Sequence, residues 1–218
     1  MTTIAHAASR PPTVYLIEDD TDLRESLAAL LEANGYLPRG FASAEDFLAK
    51  GVNERPACAV VDLRLPGMSG LDLQKKLYDE QPHLPVIVMT GHGDVATART
   101  ALRTGALDFL EKPVQPKELM DAVTAALESD VQALERARER EQMRERLGRL
   151  TPRELEVFQR ITDGLHNREI AVELGISPRT VEVHRARLMD KLNARRIADL
   201  FRLRLALDGN EVVNPARS

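Results

Sequence analysis

The chain has 218 residues, 43% apolar and 29% charged, the profile of a globular protein with room for two compact units of ordinary size. No run approaches the roughly 20 consecutive apolar residues of a membrane span, and residues 1–12 lack the apolar core of a signal peptide, so a cytoplasmic protein without membrane attachment is expected. The single cysteine, Cys58, lies in the apolar run CAVV, which excludes an internal disulfide and a cysteine-based zinc site.

The net charge of -4 conceals an asymmetry. Residues 1–130 hold 12 Lys+Arg against 20 Asp+Glu, and residues 131–218 hold 18 against 14, so an acidic front half precedes a basic back half and separate tasks are expected. Positive charge is densest where Arg179, Arg185, Arg187, Lys191, Arg195 and Arg196 face only Glu182 and Asp190. Such a run is either a solvated helix face or a nucleic-acid contact, and charge alone leaves both open.

From Val14 the chain alternates short apolar runs with amphipathic segments. VYLI is followed by a helix with Leu23, Leu27, Leu30 and Leu31 on one face, ending at Asn34-Gly35. Further strands are expected at YLPRGF, CAVVDL, PVIVMT and ALDFLE, the first of them at an edge because Pro38 removes a ladder donor. Helices are expected at Ala44 to Lys50, Gly70 to Gln81, Asp94 to Thr104 and Pro116 to Ser129. Near-continuous apolar strands alternating with helices imply a doubly wound five-stranded parallel sheet covered on both faces. Such sheets place ligand chemistry outside the carboxyl ends of their strands.

The residues at those ends are Glu18-Asp19-Asp20, Asp62, Thr90 and Lys112-Pro113. Singly, each has a structural explanation, since acids cap helices and lysines are solvated. Together they form a reactive set. Clustered carboxylates repel one another unless a cation joins them, and an oxygen-only cluster suits Mg2+. Asp62 could then attack a phosphoryl group, with Thr90 and Lys112 ligating its oxygens afterwards.

This arrangement resembles the receiver domain of two-component response regulators, over about residues 13–129, which implies a flavodoxin-like α/β fold. The resemblance implies that Asp62 is the phospho-acceptor and that Mg2+ is held by Asp19, Asp62, the backbone carbonyl of Arg64 and, more loosely, Glu18. Glu18 departs from the family's more frequent Asp and ranks below Asp19. Phe109 matches the switch aromatic that turns inward as Thr90 moves; its structural alternative is a core residue of the fifth strand. The Lys112-Pro113 bond is often cis in the family. MTGHGDVATARTALRTGALDFLEKP is similar to FixJ-type receivers, and places His92 at the mouth of the site.

ALESDVQALERAREREQMRERLGRL is rich in helix formers, so the last receiver helix is expected to run on through a helical linker, residues 130–147, with a boundary at Gly148. Its apolar positions Leu127, Val131 and Leu134 form only a short stripe, which fits a solvated linker better than a coiled coil.

LTPRELEVFQRITDGL opens with Thr151 as cap, Pro152 at the first helical position and Glu154 completing a capping box. NREIAVEL stops at Gly175, a third helix starts at Ser177-Pro178, and a fourth spans about Arg196 to Leu207, the helix-turn-helix layout. At 3.6 residues per turn, Val181, His184, Leu188 and Leu192 share the packed stripe of the third helix. Arg179, Glu182, Val183, Ala186, Arg187 and Asp190 then face outward, residue types that read base edges, while Arg179, Thr180 and Lys191 suit phosphates.

TPRELEVFQRITDGLHNREIAVELGISPRTVEVHRARLMDKL resembles the LuxR-type helix-turn-helix, which implies an all-α DNA-binding domain at residues 148–212. Both modules in this order resemble the FixJ and NarL class of transcription regulators. The resemblance implies a sensor histidine kinase and a double-stranded DNA operator as partners, RNA polymerase as a further one, and a homodimer when phosphorylated, formed through the region from Asp94 to Ser129. Three alternatives differ in kind. A phosphohydrolase of the haloacid dehalogenase type would want an acid where Arg64 stands, a regulator switched by a small molecule would want a pocket in place of the acid cluster, and a phosphorylation-independent regulator would not need the cluster.

Overall fold

The computed structural model describes residues 10–80, 83–91, 102–103 and 105–208, which divide into two compact units between Leu134 and Glu135. The first contains β1 (Thr13–Ile17), α1 (Thr21–Ala33), β2 (Leu37–Phe41), α2 (Ala44–Lys50), β3 (Ala57–Asp62), α3 (Gly70–Glu80), β4 (Val86–Thr90) and β5 (Asp108–Glu111), followed by α4 (Pro116–Gly148). The strands are parallel in the order β2-β1-β3-β4-β5. This is the doubly wound flavodoxin-like order.

Strand alternation sends neighbouring residues to opposite faces. Tyr15, Ile17, Ala59, Val61 and Val88 pack with Phe47 of α2 and with Leu73 and Leu77 of α3. Val14, Leu16, Cys58, Val60, Ile87 and Met89 pack with Leu27 and Leu31 of α1 and with Leu119, Val123 and Leu127 of α4. A fully buried aliphatic side chain contributes about 1.5–3 kcal/mol, so both faces must be covered, and both are. Burial pushes the Cys58 thiol far up, with the Asp130 charge adding to it, which fits an inert core residue.

The expected strand at ALDFLE begins two residues late, at Asp108, because the chain turns at Gly105 with φ +101°. β2 is one of the two edge strands, as Pro38 requires. The helix expected from Asp94 to Thr104 lies largely outside the described residues, as does His92. The last receiver helix does continue, as α4, to Gly148. Its final fully buried residue is Asp130, whose carboxylate accepts from Arg55 Nε and from the Ala57 N–H, each at 2.8 Å, with a second bond from the Arg55 guanidinium. From Val131 to Leu147 every residue of α4 is half-buried or exposed.

The second unit contains α5 (Pro152–Thr162), α6 (Asn167–Leu174), α7 (Pro178–Lys191) and α8 (Ile197–Asp208). The capping box forms as its sequence dictates: Glu154 N–H donates to Thr151 Oγ1 at 3.3 Å, and Thr151 N–H to Glu154 Oε2 at 2.8 Å. α6 ends on Gly175 at φ +63°, the left-handed turn that favours glycine, and Ser177 Oγ caps α7 by accepting from Thr180 N–H at 3.1 Å. Val157, Phe158, Ile161, Ile170, Val181, Leu188, Leu192 and Leu200 form its core.

Candidate functional site and its family

The parallel register carries four side chains to one sheet edge. Glu18 follows β1 and its N–H still donates to Phe41 O at 3.0 Å; Asp62 ends β3, Thr90 ends β4, and Lys112 follows β5 with its N–H donating to Thr90 O at 2.8 Å. Glu18, Asp62 and Thr90 are buried, whereas Asp19 is exposed at the rim. The Lys112 ammonium bridges the two buried acids, 2.7 Å from Glu18 Oε2 and 2.5 Å from Asp62 Oδ2.

Each oxygen of the buried acids thereby has a partner. Asp62 Oδ1 accepts from the Arg64 N–H at 3.0 Å, and Glu18 Oε1 from the Asp20 N–H at 3.3 Å. Burial and the Asp62 charge raise the Glu18 carboxyl above its usual range, against the opposing pull of Lys112 and the Asp20 N–H. Burial alone would depress Lys112, but its bonds to Asp62 and Glu18 and the charges of both outweigh that and hold it above the usual lysine value. Glu18, Asp19 and Asp62 each offer a carboxylate oxygen, and these lie within 4.8 Å of one another. Three carboxylates against one ammonium leave a net negative pocket of hard oxygens, a donor set that fits Mg2+.

Two expected members sit differently from the rest. The Thr90 hydroxyl donates to the Gly91 carbonyl at 3.2 Å rather than to the acid cluster. Phe109 is 40% exposed, so it is not the core phenylalanine that its strand position also allowed. Arg64 reaches the acid through its N–H.

Sequence inspection missed the supports of this edge. Gly70, at the start of α3, lies so close to the Asp62 carbonyl and to Leu63 Cα that any Cβ there would collide with backbone. Glu45 of α2 accepts from the Met68 N–H at 2.9 Å, holding the loop after Asp62. Arg24 of α1 donates to the carbonyl of Glu18 at 2.6 Å. A glycine eight residues past the acid was a visible signal, but the Glu45 contact spans 23 residues and left none.

On the second unit, Arg179, Glu182, Val183, Ala186, Arg187 and Asp190 form the exposed side of α7, and Val181, Leu188 and Leu192 the buried one. His184 is half-buried, with a buried Nδ1 that has no hydrogen-bond partner among the described residues. Thr180 Oγ1 is paired with Ser177 Oγ at 2.8 Å. Lys191, expected at phosphates, instead directs its ammonium to the buried Glu154 carboxylate at 2.6 Å, because that acid needs a counter-charge.

Residues 14–124 match the response regulator receiver domain, and residues 148–204 match the bacterial regulatory proteins of the luxR family. The chain therefore belongs to the response regulators that join a receiver to a LuxR-type DNA-binding domain and regulate transcription in two-component systems, a family of regulators rather than enzymes. Within that class it is FixJ-like. It is 44% identical over 192 residues to the transcriptional regulatory protein FixJ of Azorhizobium caulinodans, covering 88% of this chain and 91% of that one. It is 42% identical over 194 residues to FixJ of Rhizobium meliloti, covering 89% and 95%. Among solved structures, the response regulator StyR matches with a TM-score of 0.76 at 38% identity, covering 88% of this chain and 98% of that one. Full-length FixJ from B. japonicum matches with a TM-score of 0.56 at 36% identity, covering 92% and 99%. Among the described residues no helix is long and apolar enough to cross a membrane.

Proposed function

We propose that Asp62 receives a phosphoryl group from a partner histidine kinase and that this transfer controls DNA binding by α7. The observation that carries the proposal is the setting of the Asp62 carboxylate, held between the Arg64 N–H and the Lys112 ammonium beside Glu18 and Asp19. One Asp62 oxygen attacks the phosphorus of a phosphohistidine; the O–P bond forms as the P–N bond breaks, and the imidazole leaves and takes a proton from solvent. Asp19, Asp62 and the Arg64 carbonyl would hold Mg2+, with Glu18 in looser contact. The exposed Asp19 carboxylate accepts no hydrogen bond among the described residues that the ion would have to displace, whereas the oxygens of Glu18 and Asp62 would have to be shared with Lys112 and a backbone N–H. Mg2+ when bound supplies positive charge to the phosphoryl oxygens.

Lys112 has three donors, so it can keep Glu18 while turning one donor to the new phosphoryl group. Thr90 exchanges its local bond to Gly91 for a phosphoryl oxygen, and the half-exposed Phe109 ring moves inward behind it. The receiver, residues 13–129, then pairs with a second copy through the region from Asp94 to Ser129. The linker, residues 130–147, carries the DNA-binding domain, residues 148–212. There Glu182, Val183, Ala186 and Arg187 meet base edges, and Arg179 and Thr180 meet phosphates. Lys191 acts first as the partner of Glu154. The protein works in the cytoplasm, with RNA polymerase as a further partner.

The test is acid-labile phosphate on the full chain, using a small phosphodonor with Mg2+. Wild type is labelled and Asp62→Ala is not. Equal labelling of the two overturns the assignment of Asp62.

A further inference from the structure

The chain leaves β1 at Glu18 and turns at once into the acid loop. Glu18 N–H closes the sheet ladder on Phe41 O, but the Glu18 carbonyl lies beyond the last β1–β2 pairing and needs a donor from elsewhere. Arg24, one turn into α1, supplies it. Its Nη1 lies 2.6 Å from Glu18 O and 3.4 Å from Asp19 O, and its Nη2 lies 3.2 Å from Thr21 Oγ1.

Two features make this more than a surface arginine. Asp19, Asp20 and Asp22 are all near in sequence, yet the hydrogen bonds of the Arg24 guanidinium go to backbone carbonyls and a hydroxyl. The fork is thus spent on the path of the backbone rather than on neutralising the acids it bears. The stem also has a prepared bed: a Cβ at Gly40 of β2 would stand 3.1 Å from Arg24 Cδ and 3.4 Å from Cγ. A methyl there would require the stem of the half-buried Arg24 to give by a few tenths of an ångström.

We propose that Arg24 is a positioning residue for the cation site, fixing the backbone of Glu18 and Asp19 so that the exposed Asp19 carboxylate stays within reach of Asp62, and that Gly40 keeps the space for its stem. The inference rests on the proposal that the acid cluster takes Mg2+. Groups that orient metal ligands typically change affinity by about 10–100-fold when removed.

The test titrates MgCl2 alone into the full chain by calorimetry, without phosphodonor, for wild type, Arg24→Lys, Arg24→Met and Gly40→Ala. Positioning predicts Mg2+ affinity about tenfold weaker in Arg24→Met, only partly restored by Arg24→Lys, which keeps the charge without the fork, and weaker in Gly40→Ala, which keeps the arginine but crowds its stem. Labelling then reaches the wild-type rate at saturating Mg2+, with only the half-saturating concentration raised, which a generally damaged fold would not do. A purely electrostatic role predicts the reverse order, with Arg24→Met binding Mg2+ more tightly and Arg24→Lys unchanged. That result, or affinities within twofold of wild type for both Arg24 variants, overturns the proposal. If Arg24→Met fails to fold, Arg24→Lys and Gly40→Ala decide it by the same affinity readout. Failure of wild type itself to bind Mg2+ removes the underlying cation site instead.

Discussion

The Lys191 ammonium stands 2.6 Å from Glu154 Oε2, so the last residue of α7 is ion-paired to the same oxygen that closes the cap of α5. The Lys191 bond first, and the Thr151 N–H bond next, lower the Glu154 carboxyl to about 2. A folded value below the unfolded one stabilises the domain above the unfolded value, near 4.3, and that stabilisation is lost as pH falls towards 2. Glu154→Gln should cost about 1–3 kcal/mol at pH 7. In urea titrations the gap between wild type and variant should hold from pH 7 to 5 and close between pH 4 and 2. A gap that stays constant down to pH 2 would exclude this pair as its source.

Mg2+ should stabilise the receiver by mass action, about 2.7 kcal/mol at a hundredfold excess over Kd. Thermal melts should therefore shift upward with MgCl2 and return on chelation. Asp19→Asn should lose most of the shift while melting like wild type in its absence, because Asp19 is exposed at the rim.

Asp130→Ala should destabilise the first unit by about 3–5 kcal/mol, because it leaves the Arg55 guanidinium and the Ala57 N–H without their shared acceptor. Urea unfolding would measure it. A double-mutant cycle with Arg55→Ala should show strong coupling, whereas additive losses would mean that the pair acts only through packing.

Arg187 and Arg179 are both exposed on α7, so their removal should leave folding intact. With DNA recovered by the wild-type protein from a fragment library, Arg187→Ala should cost about 1–3 kcal/mol and relax preference at one base position. Arg179→Ala should weaken all sequences alike and lower the salt slope by about 1. Competition binding at several salt concentrations separates the two.

Much of this was legible in the sequence because the informative positions are periodic or edge-placed. Glu18, Asp62, Thr90 and Lys112 stood out because parallel strands deliver their carboxyl ends to one side, and Val181, Leu188 and Leu192 because a helix repeats its buried face. What stayed hidden was long-range and polar. Arg55 meets Asp130 across 75 residues, with nothing local to announce either. Lys191 resembled its basic neighbours until Glu154 was placed beside it. Phe109 carried two readings in the sequence, a switch aromatic and a core residue of the fifth strand, and only the packed structure, with the residue 40% exposed, excludes the second.

Gly70 gives the site an unusual kind of fragility. The nearest atoms to a side chain at that position belong not to the Asp62 carboxylate but to the backbone that carries it. A single added methyl would leave every group of the acid cluster chemically intact and still shift the frame on which the Asp62 carboxylate is mounted. Drift at position 70 would therefore disturb the acid cluster without altering one of its residues.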